Sequence, residues 1–208
     1  MDPLVPDRQM FAQDPFGYSS SAWQRWAMIG AALGKDVDPT STPKAEDLKN
    51  PILWLSQAEA MSQAAKTLIE AQPSFENMPV PIQGICDSQF SAIAMMLLGY
   101  SLEISLKAMH ILKHGVDKFI ENEKQFYHHR LRDLAEFIPD LTEKDRAILD
   151  VLTHFTMWAG RYPDPGRANV NKHELVFSLS EKHEICLRDV LDLATRVMRQ
   201  TAKVTTAN

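Results

Sequence analysis

Apolar residues recur at helical spacing along most of the chain, and prolines mark the breaks between the runs. Asn50-Pro51 reads as a helix start, with Asn as the N-cap and Pro in the first turn. Ile52, Leu55, Ala58, Ala65, Leu68 and Ile69 follow on one face. The stretch AQPSFENMPVP reads as a linker. A long helix is then expected from about Ile85 to His114, closed by Gly115. Thr142-x-x-Asp145 opens a helix carrying Ile148, Leu149, Leu152 and Phe155. A last helix is expected from near Ser180, with Leu187, Val190, Leu191, Ala194, Val197 and Met198 on one face. A shorter helix fits Trp23 to Leu33. The only candidate strand is VFSLS at 176–180, and it is short.

The fold class is therefore all-α: an antiparallel bundle of four to six helices behind a Pro-rich N-terminal arm. Pro3, Pro6 and Pro15 give that arm an extended character. The expected organisation is an arm with one short helix over 1–50, the bundle over 51–200 and a flexible tail over 201–208.

The long helix has an unusual cross-section. Glu103, Lys107, His110 and His114 fall within about 60° of one another on a helical wheel. Ala94, Ser101, Ser105 and Ala108 gather on roughly the opposite side, where a second helix could approach closely. Leu97, Leu102, Ile104, Leu106, Met109 and Ile111 fill the flanks. The polar stripe has two readings. It is a solvent-facing seam with an i,i+4 ion pair, or it is a polar line inside a cleft. His110-x-x-x-His114 has the spacing of a two-His metal site. No HExxH context surrounds it, and Lys107 and Lys113 would repel a cation, so no metal site is expected.

Composition narrows the possibilities. The 208 residues carry 22 basic and 27 acidic side chains, a net charge of −5. That balance argues against a protein held on nucleic acid by overall charge. Residues 182–208 are net +2, too little to change the picture. With 45% hydrophobic and 24% charged residues, the chain is an ordinary globular one. Cys86 and Cys186 fit no zinc or CxxC pattern and are expected to be reduced core residues of a cytoplasmic protein. The N-terminus lacks the basic start and apolar run of a signal peptide. The charge-free apolar stretch from Ser88 to Leu102 is shorter than the ~20 residues of a membrane span. A buried helix, and no membrane association, is the expectation.

Specific chemistry concentrates in TMWAGRYPDPGR, positions 156–167. Gly160 allows a turn after Trp158. Arg161 then either favours a helix C-terminus, with Tyr162 packed on the bundle, or enters a cleft, where its planar fork suits phosphate. No GxSxG, Walker A or GxGxxG pattern occurs in the chain.

Together, LGYSLEISLKAMHIL (98–112), HRLRDL (129–134) and WAGRYPDPG (158–166) resemble the HEPN family of prokaryotic helical domains. The resemblance covers roughly residues 85–200 and lies in a Glu-x-x-x-Lys helix, a His-x-Leu-x-x-Leu segment and a later Arg-Tyr-Pro. It implies a helical bundle that dimerises. It also implies roles in toxin–antitoxin and other defence systems, as metal-independent endoribonucleases, as partners of small nucleotidyltransferases, or as binders of nucleotides or RNA. The ribonuclease branch places a polar residue after its arginine and a histidine a few positions on. Here Tyr162 follows Arg161, and the next histidine is His173. The Arg-Tyr-Pro form is thus similar to the non-ribonuclease branch.

Three functional expectations follow. The first is a dimeric binding or regulatory module, with Glu103, Lys107, His129, Arg161 and Tyr162 lining a cleft for a nucleotide, RNA or a partner such as a nucleotidyltransferase. The second is a ribonuclease that uses Arg161 with His129 or His173. The third is a structural interaction protein docking through Trp23, Trp26 and Met28 of the arm. None of the three requires a cofactor.

Overall fold

A computed structural model describes residues 7–206, apart from the side chains at 168, 173, 202, 205 and 206. The described residues contain no strand, so the chain is all-α, as its patterning predicts. In chain order the helices are α1 (Gln9–Gln13), α2 (Pro15–Tyr18), α3 (Ala22–Ala32), α4 (Ala45–Leu48), α5 (Pro51–Glu70) and α6 (Val80–His114). There follow α7 (Val116–Glu121), α8 (Glu123–Phe126), α9 (Leu131–Leu134), α10 (Glu143–His154), α11 (Lys172–Lys182) and α12 (Leu187–Thr206). A π-helical turn, Phe155–Ala159, continues α10. The chain divides into two compact units, one ending at Leu53 and the other starting at Trp54.

The first unit is not extended where it is described. Pro15 stands in the first turn of α2, where a missing N–H costs nothing, and the Asp14 carboxylate accepts from Gly17 N at 2.9 Å. A reciprocal Ser21/Gln24 capping box starts α3. Trp23 is buried, while Met28 is exposed. Pro3 and Pro6 lie outside the described residues.

The second unit is organised around α6. The helix begins five residues earlier than the sequence suggests, because Pro81 sits in the first turn and does not interrupt it. It ends at Gly115, whose φ of 83° is open to glycine at little cost. Lys113 and His114 occupy the last turn, where positive charge suits the helix dipole. The apolar window of α6 is long enough to cross a bilayer, yet 61% of it is buried within the chain's own fold. Leu102, Leu106 and Met109 pack with Leu131 and Leu134 of α9, Ile148, Leu149 and Leu152 of α10, and Leu193 and Val197 of α12. The small-residue face is buried throughout, and Ser101 Oγ donates to the Ala58 carbonyl of α5 at 2.9 Å.

Two glycines set how closely α6 meets α10 and its π-turn. A Cβ on Gly99 would lie 2.6 Å from Thr156 Cγ2 and 3.3 Å from the Leu152 carbonyl oxygen. A Cβ on Gly160 would collide with Met96 Cβ and lie 2.8 Å from the Ala92 carbonyl oxygen. Gly160 has an ordinary φ of −93°, so close approach, not turn geometry, requires it. The pairs 99/156 and 160/96 run in opposite order, so the two helices are antiparallel.

The chain departs from the sequence expectations elsewhere. VFSLS is helical, inside α11. The last helix starts at Leu187 and runs to Thr206, so residues 201–206 of the expected tail are helical. Cys86 is half-buried and Cys186 exposed, so neither is a core residue.

Candidate functional site

Residues Glu103 and Lys107 stand one turn apart on α6, and both are buried, with 4% and 7% of their surface exposed. The solvent-facing reading of this stripe therefore fails. Lys107 Nζ donates to Glu103 Oε1 at 2.7 Å. The second carboxylate oxygen, Oε2, lies 2.9 Å from Nδ1 of His129. A buried carboxylate needs both oxygens satisfied, and here a cation and an imidazole satisfy them. His129 itself remains exposed over 44% of its side chain, so the cluster runs from the core to the surface.

Local structure explains the placement. His129 belongs to the turn 127–130 that leads into α9, and buried Leu131 and Leu134 pin that short helix against α6. Thr153 Oγ1 of α10 accepts from Leu131 N at 3.1 Å. Tyr100, three residues before Glu103, meets the His129 ring edge-on at 6.0 Å. Its hydroxyl donates to the Thr156 carbonyl at 3.0 Å. In the π-turn Gly160 N bonds to the Phe155 carbonyl, and Tyr100 supplies the donor to Thr156. The ring of Tyr127, 55% exposed, has Lys107 Nζ 5.5 Å from its centre. Sequence reasoning did not assign Tyr127 to this site. The signal was its place two residues before His129, in an aromatic-basic run too short to stand out alone.

Arg161 and Tyr162 belong to a different level of α6. The Arg161 guanidinium lies 5.1 Å over the Tyr162 ring and donates to its hydroxyl at 3.3 Å. Both residues are exposed. Gly160 contacts α6 at Ala92 and Met96, and Glu103 lies seven residues further along, a rise of about 10 Å. The structure thus joins Glu103, Lys107 and His129 and does not join them to Arg161 or Tyr162. The side chain of His173 lies outside the described residues.

Of the remaining histidines of α6, His110 is packed and His114 is exposed. His110 Nε2 donates to the Leu134 carbonyl at 3.0 Å, and its ring lies between those of Phe126 and Phe137, 4.6 Å from each. Its Nδ1 is buried without a partner. Burial holds the His110 pKa below the usual histidine value, and neighbouring His114, Lys113 and His128 act in the same direction. His110 and His114 are stacked at 5.8 Å. Among the described residues no group of three or more His, Cys, Asp or Glu side chains is placed to hold a metal.

Chemically, the cluster presents an imidazole oriented by a buried carboxylate, with a half-exposed edge and an exposed aromatic ring alongside. Such a group can donate to an anion or exchange a proton. Compared with protein-family profiles, curated proteins and solved structures, the chain matches none.

Proposed function

We propose that this chain is a HEPN-like binding or regulatory module that takes a phosphate-bearing ligand, a nucleotide or an RNA segment, at the surface edge of the Glu103–Lys107–His129 cluster. The observation that carries this reading is the buried Glu103 carboxylate, which grips Lys107 on one oxygen and the half-exposed His129 on the other. A protonated His129 offers a fixed N–H donor to a phosphate oxygen. The Tyr127 ring beside it offers a stacking surface for a base. Arg130, exposed in the same turn, adds positive charge, although it also pairs with Asp133. As with the family it resembles, the module is proposed to work as a homodimer in a prokaryotic defence or toxin–antitoxin setting.

Titration of AMP and of a short oligouridylate into the full chain tests the reading. His129→Gln and Tyr127→Ala are expected to weaken binding about tenfold each, a loss of about 1.4 kcal/mol. Binding that neither substitution changes, or no binding of either probe, overturns it.

The Glu103–His129 pair also favours a second reading, ribonuclease chemistry, because a carboxylate-oriented imidazole is a general acid–base unit. Phosphodiester cleavage also needs a cation on the phosphate, and Arg161, the sequence candidate, is engaged with Tyr162 instead. Cleavage of a mixed RNA in EDTA, abolished by His129→Gln, would establish this reading over simple binding.

A further inference from the structure

The end of α5, the first half of α6, the π-turn, α11 and the start of α12 enclose a cleft of about 560 Å³. That size lies in the range of small-molecule sites, ~300–1,000 Å³. Its walls are largely aliphatic and aromatic, with Leu68, Phe90, Met95, Phe155 and Trp158 among them. The cleft lies on the part of α6 preceding Met96, away from the Glu103 cluster, and the inference drawn from it does not rest on the proposed function.

Two observations indicate an occupant. The first is the mouth of the cleft. Phe177 and Tyr162 both line it, yet they are 67% and 53% exposed. Large aromatic surface left in water around a concave site is surface that a ligand would cover.

The second is the chemistry at one end. Arg161 lies on Tyr162 and donates to its hydroxyl, and among the described residues it has no carboxylate partner. With a lone pair of the hydroxyl taken by the guanidinium, the phenol proton is available to a further acceptor. Tyr162 lines the cleft and Arg161, which does not, rests on it at the rim, so that end offers a phenol and, just outside it, a guanidinium beside an apolar chamber. Asp87, on the α6 wall, also lines the cleft and would repel an anion held beside it.

We infer that the cleft binds a small amphipathic anion: an apolar chain or ring system of ~10 carbons bearing one carboxylate. The head group sits on Arg161 and Tyr162, and the body lies among Leu68, Phe90, Phe155 and Trp158. The planar guanidinium matches a carboxylate in two-point geometry.

Calorimetric titration of the full chain with decanoate, decanol and decyltrimethylammonium, each below its micelle concentration, tests this. Decanoate is expected to bind saturably at one site and at least fivefold more tightly than the cation. Arg161→Ala, at an exposed position, should weaken decanoate about tenfold and leave decanol unchanged. Tyr162→Phe should weaken decanoate severalfold. Ala71→Phe, an exposed substitution on the cleft wall, should weaken both decanoate and decanol. The inference is overturned if the cation binds as tightly as decanoate, if Arg161→Ala leaves decanoate unaffected, or if none of the three probes saturates.

Discussion

Lys107 Nζ lies 2.7 Å from the Glu103 carboxylate, with only 8% and 6% of the two side chains exposed. Their partners are unequal. Glu103 also holds His129, so losing Lys107 leaves its charge partly answered. Lys107 without Glu103 retains only the Tyr127 ring among the partners described above. Removing one member of a buried pair costs about 3–5 kcal/mol, because the other charge is left stranded. Glu103→Leu should therefore destabilise by about that amount, and Lys107→Met by less, about 1–3 kcal/mol. The double substitution should recover part of the loss. Urea denaturation of the four proteins measures this, and equal single-variant losses would contradict the asymmetry.

The antiparallel contact of α6 with α10 makes a second prediction. Gly160→Ala presses a methyl group toward the Ala92 carbonyl and Met96 Cβ, both fixed by the backbone of α6. Gly99→Ala presses mainly on Thr156 Cγ2, a side-chain atom. Overpacking of this kind costs about 1–3 kcal/mol. The two sites differ in rescue. Thr156→Ser removes the opposing methyl and keeps the hydroxyl that donates to the Thr153 carbonyl, so it should restore much of the Gly99→Ala loss. It should do nothing for Gly160→Ala. Thermal melts of the singles and doubles decide the matter.

These contacts also show where the sequence was informative. Helical periodicity, Asn50-Pro51 and the Thr142/Asp145 capping box located α5 and α10. Local chemistry specifies such features, so sequence reads them well. The wheel placed Glu103 and Lys107 on one stripe but could not say whether water or a neighbour covered it. Burial depends on α9 and the 127–130 turn folding over that stripe, and those contacts are remote in sequence. For the same reason His129 could be matched to the cluster only by resemblance, and Arg161 was grouped with it although it lies about 10 Å along the helix axis. VFSLS alternates over too few residues to outweigh its helical flanks, KHEL and EK.

Acid should weaken the fold through its histidines. Burial lowers the pKa of His110 and of His154, which accepts from Trp158 Nε1 at 3.4 Å. Above the unfolded histidine value near 6.5 both states are neutral there and stability is unaffected. Below it the unfolded chain takes up protons that the folded chain resists, so stability falls as pH falls. Carboxylates act lower: Asp189, held at about 2 by Lys144 and the Cys186 amide, loses its contribution only as pH falls from about 4 toward 2. The interval from pH 7 to 5 therefore isolates the histidines. His110→Phe gives up the bond to the Leu134 carbonyl but should flatten the decline across that interval. An unchanged slope in denaturation midpoints would rule His110 out as a contributor.

The join between α10 and α12 gives a graded test. Thr142 Oγ1 accepts from Asp145 N at 3.1 Å, while an Asp145 oxygen accepts from Thr142 N at 2.8 Å. The other Asp145 oxygen accepts from Arg196 of α12. Thr142→Ala removes one half of the capping box and should cost about 1 kcal/mol. Asp145→Ala removes the other half together with the bond to α12, from a site only 5% exposed, and should cost about 2–3 kcal/mol. Arg196→Met tests the apportionment, because its loss should nearly vanish in an Asp145→Ala background.

The separation of Arg161 from His129 predicts independent binding events. Sites set apart along α6 by a rise of about 10 Å, with no shared partner, behave additively. His129→Gln should therefore weaken nucleotide binding and leave decanoate untouched, and Arg161→Ala should do the reverse. The double variant should show the product of the two single effects on each ligand, with no coupling. Tyr100 links the levels, since it touches His129 and bonds to the π-turn that leads into Arg161. If the ligands do influence each other, Tyr100→Phe, which keeps the ring but loses the bond to Thr156, should abolish that influence. Competition between AMP and decanoate, with and without this substitution, would then show whether the π-turn transmits binding or only positions Arg161.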